Sequence, residues 1–241
     1  VSLQPQPIEI HPDGTICLKK AAAVIKPDDF HFAQTKLMSL ENTINGKVLP
    51  LSYLAEAREF VNQHNLSLHL DGARVYNAAV ALDVDVKEIA QHFDSMTICL
   101  SKGLCAPIGS LLLGSKAFIA KARRLRKMVG GGMRQAGILA AAGKLALTEQ
   151  VTLLSVDHQN AKKLALGLSE LDGFHVNPDF VQTNIVFAKL DDSIQIKKIA
   201  EQLAEDEITV SPGNPIRFVT HKDVSSADID LLLSKLAQYI K

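Results

Sequence analysis

Two periods of apolar and polar positions run along this chain, and the switches between them outline its architecture. "LSLHLD" (66–71) alternates with the period of a strand, and "KLMSLEN" (36–42) and "SMTICL" (95–100) read the same way. Between them, "LSYLAEAREFVNQHN" repeats apolar residues at helical spacing, through Leu51, Leu54, Ala55, Ala57 and Phe60, and "DVKEIAQHF" makes a short amphipathic helix. Strand and helix in alternation predict an α/β fold with a doubly wound, mostly parallel sheet. From "SKAFIAKARRLRKMV" onward the pattern is helical, through "MRQAGILAAAGKLALTEQ" and "SVDHQNAKKLALGLSEL". The tail returns to strands in "FHVNPDFVQTNIVFAKL" and "ITVSPGNPIRFVTH", with the helices "SIQIKKIAEQLAED" and "SSADIDLLLSKLAQYI" between and after them. The expected division is a major domain over 1–149 and a small α+β domain over 150–241.

Composition narrows this picture. The 241 residues are 47% apolar and 22% charged, as in ordinary soluble globular proteins. Formal charge balances at zero, so no general pull toward nucleic acid or an anionic membrane is expected. Cys17, Cys99 and Cys105 lack metal-like spacing and read as free thiols in a reducing cytoplasm, with no metal site. No apolar run approaches the roughly 20 residues that span a bilayer, and no signal peptide is expected. The chain opens at Val1 without methionine, in an extended-looking segment already under way. It is therefore expected to be processed, truncated or partial.

The chemistry gathers at strand ends. In a doubly wound sheet, ligands bind outside the carboxyl ends of the strands. Two such ends carry unusual residues here: "LSLHLDGAR" delivers Asp71 and Arg74, and "MTICLSKG" delivers Lys102. An ammonium group closing a buried strand, with small residues after it, either returns to solvent or has chemistry to do. A primary amine beside a carboxylate suits pyridoxal phosphate, with the lysine as Schiff base and the aspartate on the pyridinium nitrogen. Arg74 would hold the cofactor's phenolic oxygen or a substrate carboxylate, which its planar fork fits. From these residues alone the ordinary readings stay open. Asp-Gly also makes a turn in which glycine supplies an unusual backbone angle, and Ser-Lys-Gly makes an ordinary loop. Lys20, in the near-duplicate "TICLKK" (15–20), leads into a surface helix pattern and is a poor rival. His69 is read as facing away from Asp71 and as structural.

An ordered series of segments is more specific. "HLDGAR" (69–74), "TICLSKGL" (97–104), "PIGSLLLG" (107–114) and "GGGMRQAGILAAAG" (130–143) resemble the low-specificity L-threonine aldolases, as do "QPQPIE", "IKPDDFHFAQTKLMSLENT" and "IRFVTH". These are fold-type I pyridoxal-phosphate enzymes of the aspartate aminotransferase superfamily. The resemblance implies Lys102 as the Schiff-base lysine, Asp71 as the pyridinium partner and Arg74 as a cofactor or substrate contact. It implies that Arg217 grips the amino-acid carboxylate and that Lys127 and Arg134 lie near the site, partly from a neighbouring subunit. Arg217 also reads as a solvated strand-end arginine, and Lys127 in "KARRLRK" as part of a solvated basic face. The implied activity is retro-aldol cleavage of L-threonine or L-allo-threonine to glycine and acetaldehyde, by a cytoplasmic homotetramer of threonine catabolism and glycine biosynthesis. Two departures stand out. The family's upstream segment, with its Ser/Thr-Gly-Thr phosphate loop and ring-stacking histidine, is absent from these residues, so this chain alone is expected to bind cofactor poorly. "ENTING" also has Ile44 where the family usually reads "ENTHNG". Another pyridoxal-phosphate lyase of β-hydroxy amino acids, and a non-catalytic remnant acting through subunit contacts, are the alternatives.

Overall fold

The computed structural model describes residues 3–240. Val1, Ser2 and Lys241 lie outside the described residues, and with them the expectation attached to the opening at Val1. A four-stranded sheet runs in the order β1 (Leu37–Glu41), β2 (Ser67–Asp71), β3 (Ser95–Cys99) and β4 (Ser110–Gly114). The first three strands are parallel, and β4 is antiparallel to β3. Alternation decides the faces. Met38, Leu40, Leu68, Leu70, Met96 and Ile98 point into a core shared with α2 (Leu51–Gln63), α3 (Val75–Leu82) and α4 (Val86–Ala90). The opposite face carries Ser39, Glu41, His69, Asp71, Ser95 and Thr97. His69 therefore shares a face with Asp71, contrary to the expectation, because residues two apart in a strand point the same way. It meets the Ser95 hydroxyl at 2.8 Å.

The helical middle follows. Helix α5 (Lys116–Met128) buries none of its residues, and every residue of β4 is exposed. Helix α6 (Gly137–Leu145) continues through a π turn and a 3-10 turn into α7 (Leu154–Ser169). This unbroken run, Gly137–Ser169, is long and apolar enough to cross a membrane by length and composition. Lys144 and Glu149 interrupt its apolar residues, so it holds no continuous apolar run of about 20 residues. Its second half, however, is core: Leu154 joins the first core, and Ala161, Leu164, Ala165 and Leu168 join a second.

The second core lies between α7, α8 (Ile196–Glu205) and α9 (Ser226–Tyr239) and an antiparallel sheet of β5 (Phe174–His175), β6 (Ile185–Leu190) and β7 (Ile216–Val219). The strand expected across 174–190 is broken at Asn177, whose side chain accepts from the Asp179 amide at 3.0 Å and opens a 3-10 turn. The strand expected from residue 208 begins only at Ile216. Before it, the Asn214 side chain bonds the Leu190 amide at 2.9 Å and its carbonyl at 2.8 Å, standing in for a ladder residue. The two cores also meet through the 42–48 loop. Thr183 Oγ1 donates to the Gly46 carbonyl, and Gln182 Oε1 accepts from the Val48 amide, both at 2.7 Å. Gly46 has φ +84°, and a Cβ there would stand 2.9 Å from Ile185 Cβ, so only glycine fits.

Candidate active site

Three parallel strands end level with one another. Glu41 of β1 stands opposite Asp71 of β2, and Asp71 opposite Thr97 of β3. The Asp71 carboxylate accepts from the Ala73 amide at 3.1 Å as the chain turns through Gly72. Gly72 has no left-handed backbone angle, unlike the expected turn. Its requirement is space, since a Cβ would lie 2.6 Å from the Thr97 carbonyl oxygen. The tight turn delivers Arg74, half-buried at the start of α3, with its Nε buried and unpaired. After β3, the Ser101–Leu104 turn is closed by Cys105 N–H to Lys102 O and Ala106 N–H to Leu100 O, both at 2.9 Å. It holds Lys102 at the sheet end with an exposed side chain.

The charges of these residues act on one another. Burial pushes the Glu41 carboxyl up and Asp71 adds to this, while Arg74 and Lys102 pull it back down. Burial lowers the Arg74 guanidinium, and Arg217 of β7 lowers it further, against Glu41 and Cys99. Glu41, Asp71, Arg74, Lys102 and Arg217 thus share one region, to which the second sheet contributes Arg217. None of the five is in an ion pair among the described residues. Two guanidinium groups within each other's field, without a carboxylate bound to either, suit an anion. An unpaired amine, a strand-end carboxylate and an orphaned guanidinium N–H suit a flat ligand with an aldehyde, a basic ring nitrogen and an anionic oxygen.

The other basic residues stand apart. Lys127 ends α5 and Arg134 lies on the connection after it, both exposed, and neither is among the charges that shift Glu41 or Arg74. The Lys127 amine folds over Gly132, 2.6 Å from where a Cβ would be. Lys20 is spent in an exposed ion pair with Glu9 at 2.7 Å. Ile44 is half-buried, with its Cγ2 against Gly14. Among the described residues, no group of three or more His, Cys, Asp or Glu side chains is placed to hold a metal ion. Glu41 was not singled out from the sequence, although "MSLEN" ends a strand in a carboxylate just as "LHLDG" does.

Comparison with known proteins gives these positions a context. The sequence model of the beta-eliminating lyase family matches residues 1–191. The chain is 51% identical over 224 residues to the low specificity L-threonine aldolase of Escherichia coli (strain K12), covering 93% of this chain and 66% of that protein. It is 38% identical over 245 residues to the low-specificity L-threonine aldolase 1 of Arabidopsis thaliana, covering 98% of this chain and 68% of that protein. Among solved structures, the Leishmania major threonine aldolase matches with a TM-score of 0.77 at 20% identity, over 96% of this chain and 69% of that one. This last likeness is one of fold. The chain spans 66% of the length of the Escherichia coli relative and 68% of the Arabidopsis one.

Proposed function

The chain belongs to the beta-eliminating lyase family, and on that premise we propose that the protein is a pyridoxal-phosphate-dependent lyase cleaving L-threonine and L-allo-threonine to glycine and acetaldehyde. The reading is carried by one observation: Arg74 and Arg217 face one region with no carboxylate bound to them, beside a free amine and a free strand-end carboxylate. The threonine-aldolase names of its relatives support it.

When bound, pyridoxal phosphate supplies an electron sink for the pair released as the Cα–Cβ bond breaks. Lys102 is the amine that would hold its aldehyde carbon. Asp71 would keep the ring nitrogen protonated, the form that accepts electrons. The orphaned Arg74 Nε–H would donate to an anionic oxygen of the bound group. Arg217 would take the substrate carboxylate in its planar fork and so fix which Cα bond stands across the ring. We further propose a cytoplasmic homotetramer in which Lys127 and Arg134 serve a neighbour's site. The three free thiols suit a reducing compartment, and the apolar exposure of β4 and α6 suits assembly.

The test is borohydride trapping of added cofactor, with acetaldehyde release measured from each threonine isomer. Lys102→Ala should abolish trapping and lower the release rate by at least about a thousandfold. Trapping at full strength in that variant would sink the assignment.

A further inference from the structure

Among the described residues Asp157 is the only charged residue that is buried, at 3% exposure. It lies in the first turn of α7, one helical step after Leu154. A Cβ on Gly103, next to Lys102, would meet Leu154 Cδ2 at 2.8 Å, with Asp157 Oδ2 and Asn77 Oδ1 each at 3.8 Å. The turn that carries the amine therefore rests directly on this part of α7. On the other side, Thr220 Oγ1 donates to the Asp157 carbonyl at 2.6 Å. Thr220 follows β7 directly, three residues after Arg217. One residue thus stands between the amine's turn and the guanidinium's strand.

Its carboxylate accepts no hydrogen bond among the described residues. His221 beyond β7 and Cys105 beyond the Lys102 turn interact with it electrostatically. Close to the same turn, Asn77 of α3 is bonded to His158 of α7 at 3.1 Å. Lys222 and Asp223 act on the same Cys105 thiol. Burial raises the Asp157 carboxyl to about 6, with His221 opposing. A carboxylate held among buried groups without a hydrogen-bond donor weakens a fold more than the neutral amide of the same shape. Such costs are retained where they serve a site.

We propose that Asp157 is a positioning residue: from the first turn of α7 it fixes the Ser101–Leu104 turn against the end of β7, and so sets the Lys102 amine relative to the Arg217 guanidinium. The inference rests on the roles given above to Lys102 and Arg217. Asp157→Asn keeps the volume and removes the charge. In this variant, amide hydrogen exchange over 101–106 should quicken about tenfold or more while β1 to β3 stay unchanged. The kcat should fall about tenfold, more than KM rises, as expected for a misplaced reacting group. The melting temperature at pH 8 should not fall. Thr220→Val, which removes the bond on the β7 side, should loosen the same residues and decides the matter if the Asn variant does not fold. Unchanged exchange over 101–106 in both variants overturns the proposal, and so does a loss of activity that only tracks a lower melting temperature. Regional loosening in protein that cleaves neither threonine isomer would uphold the positioning role and count against the lyase reading.

Discussion

At Gly72, one added carbon would sit 2.6 Å from the Thr97 carbonyl oxygen, a contact with backbone that no rotamer relieves. Gly72→Ala should pry the end of β2 from β3 and cost about 1–3 kcal/mol, read as a lower urea midpoint, with weaker cofactor trapping because Asp71 moves with it. Asp157 and His158 make opposed contributions to acid stability. Asp157 titrates near 6 in the fold against an ordinary 3.8, so acidification through this window adds stability. Burial lowers His158 to about 4 from 6.5. It stays neutral in the fold while the unfolded chain takes up a proton, so acidification from 6.5 to 4 removes stability. The two nearly cancel. Asp157→Asn leaves only the histidine, and stability between pH 6.5 and 4 should fall relative to wild type by up to about 3 kcal/mol. His158→Gln should shift it the other way, and urea midpoints across the window check both. Asp71, Arg74 and Lys102 were legible in the sequence because each follows a strand whose alternation is plain. Glu41 was not, because "ENT" reads equally as the start of a turn. Neither was Asp157, which looks like any polar residue of an amphipathic helix until the turn above it is known.

The elements differ in how openly the sequence states them. Helix α9 announces itself: Ser225 caps the Asp228 amide, and the Asp228 carboxylate returns to the Ser225 amide at 2.8 Å. Ser225→Ala should cost about 1 kcal/mol by chemical denaturation. Strands β1, β2 and β3 were legible for the same local reason, each alternating over at least five residues. Strand β4 was not, since "SLLLG" has no alternation and is fixed only by its pairing with β3. The tail was over-read as strand because Val, Phe and Thr favour extended backbone, whereas Asn177 and Asn214 decide where pairing stops. Helix α7 is amphipathic in sequence, but its service to two cores depends on which neighbours arrive. Leu164→Ala, at a fully packed position of the second core, should cost about 2–5 kcal/mol.

Across the whole molecule, apolar surface is distributed unevenly. Leu111, Leu112 and Leu113 of β4, Met128 at the end of α5, Val129 after it, and Ile138 of α6 are all exposed. Isolated apolar residues at a surface are ordinary, but a concentration on adjoining elements marks a contact area. Leu112→Arg should therefore reduce the particle mass measured by light scattering, and an unchanged mass would count against assembly through β4. Other exposed apolar side chains, such as Phe30, Phe180 and Leu231, lie elsewhere along the chain. Helix α7 gives its first turn to one interior and its following turns to the other. The protein consequently has no seam along which a gene could be cut to yield two self-sufficient fragments. A fragment ending before the helix would lose Leu154 from the first core, and one beginning after it would lose Ala161, Leu164, Ala165 and Leu168 from the second, so split-protein pairs would have to duplicate residues 154–168 to recover both.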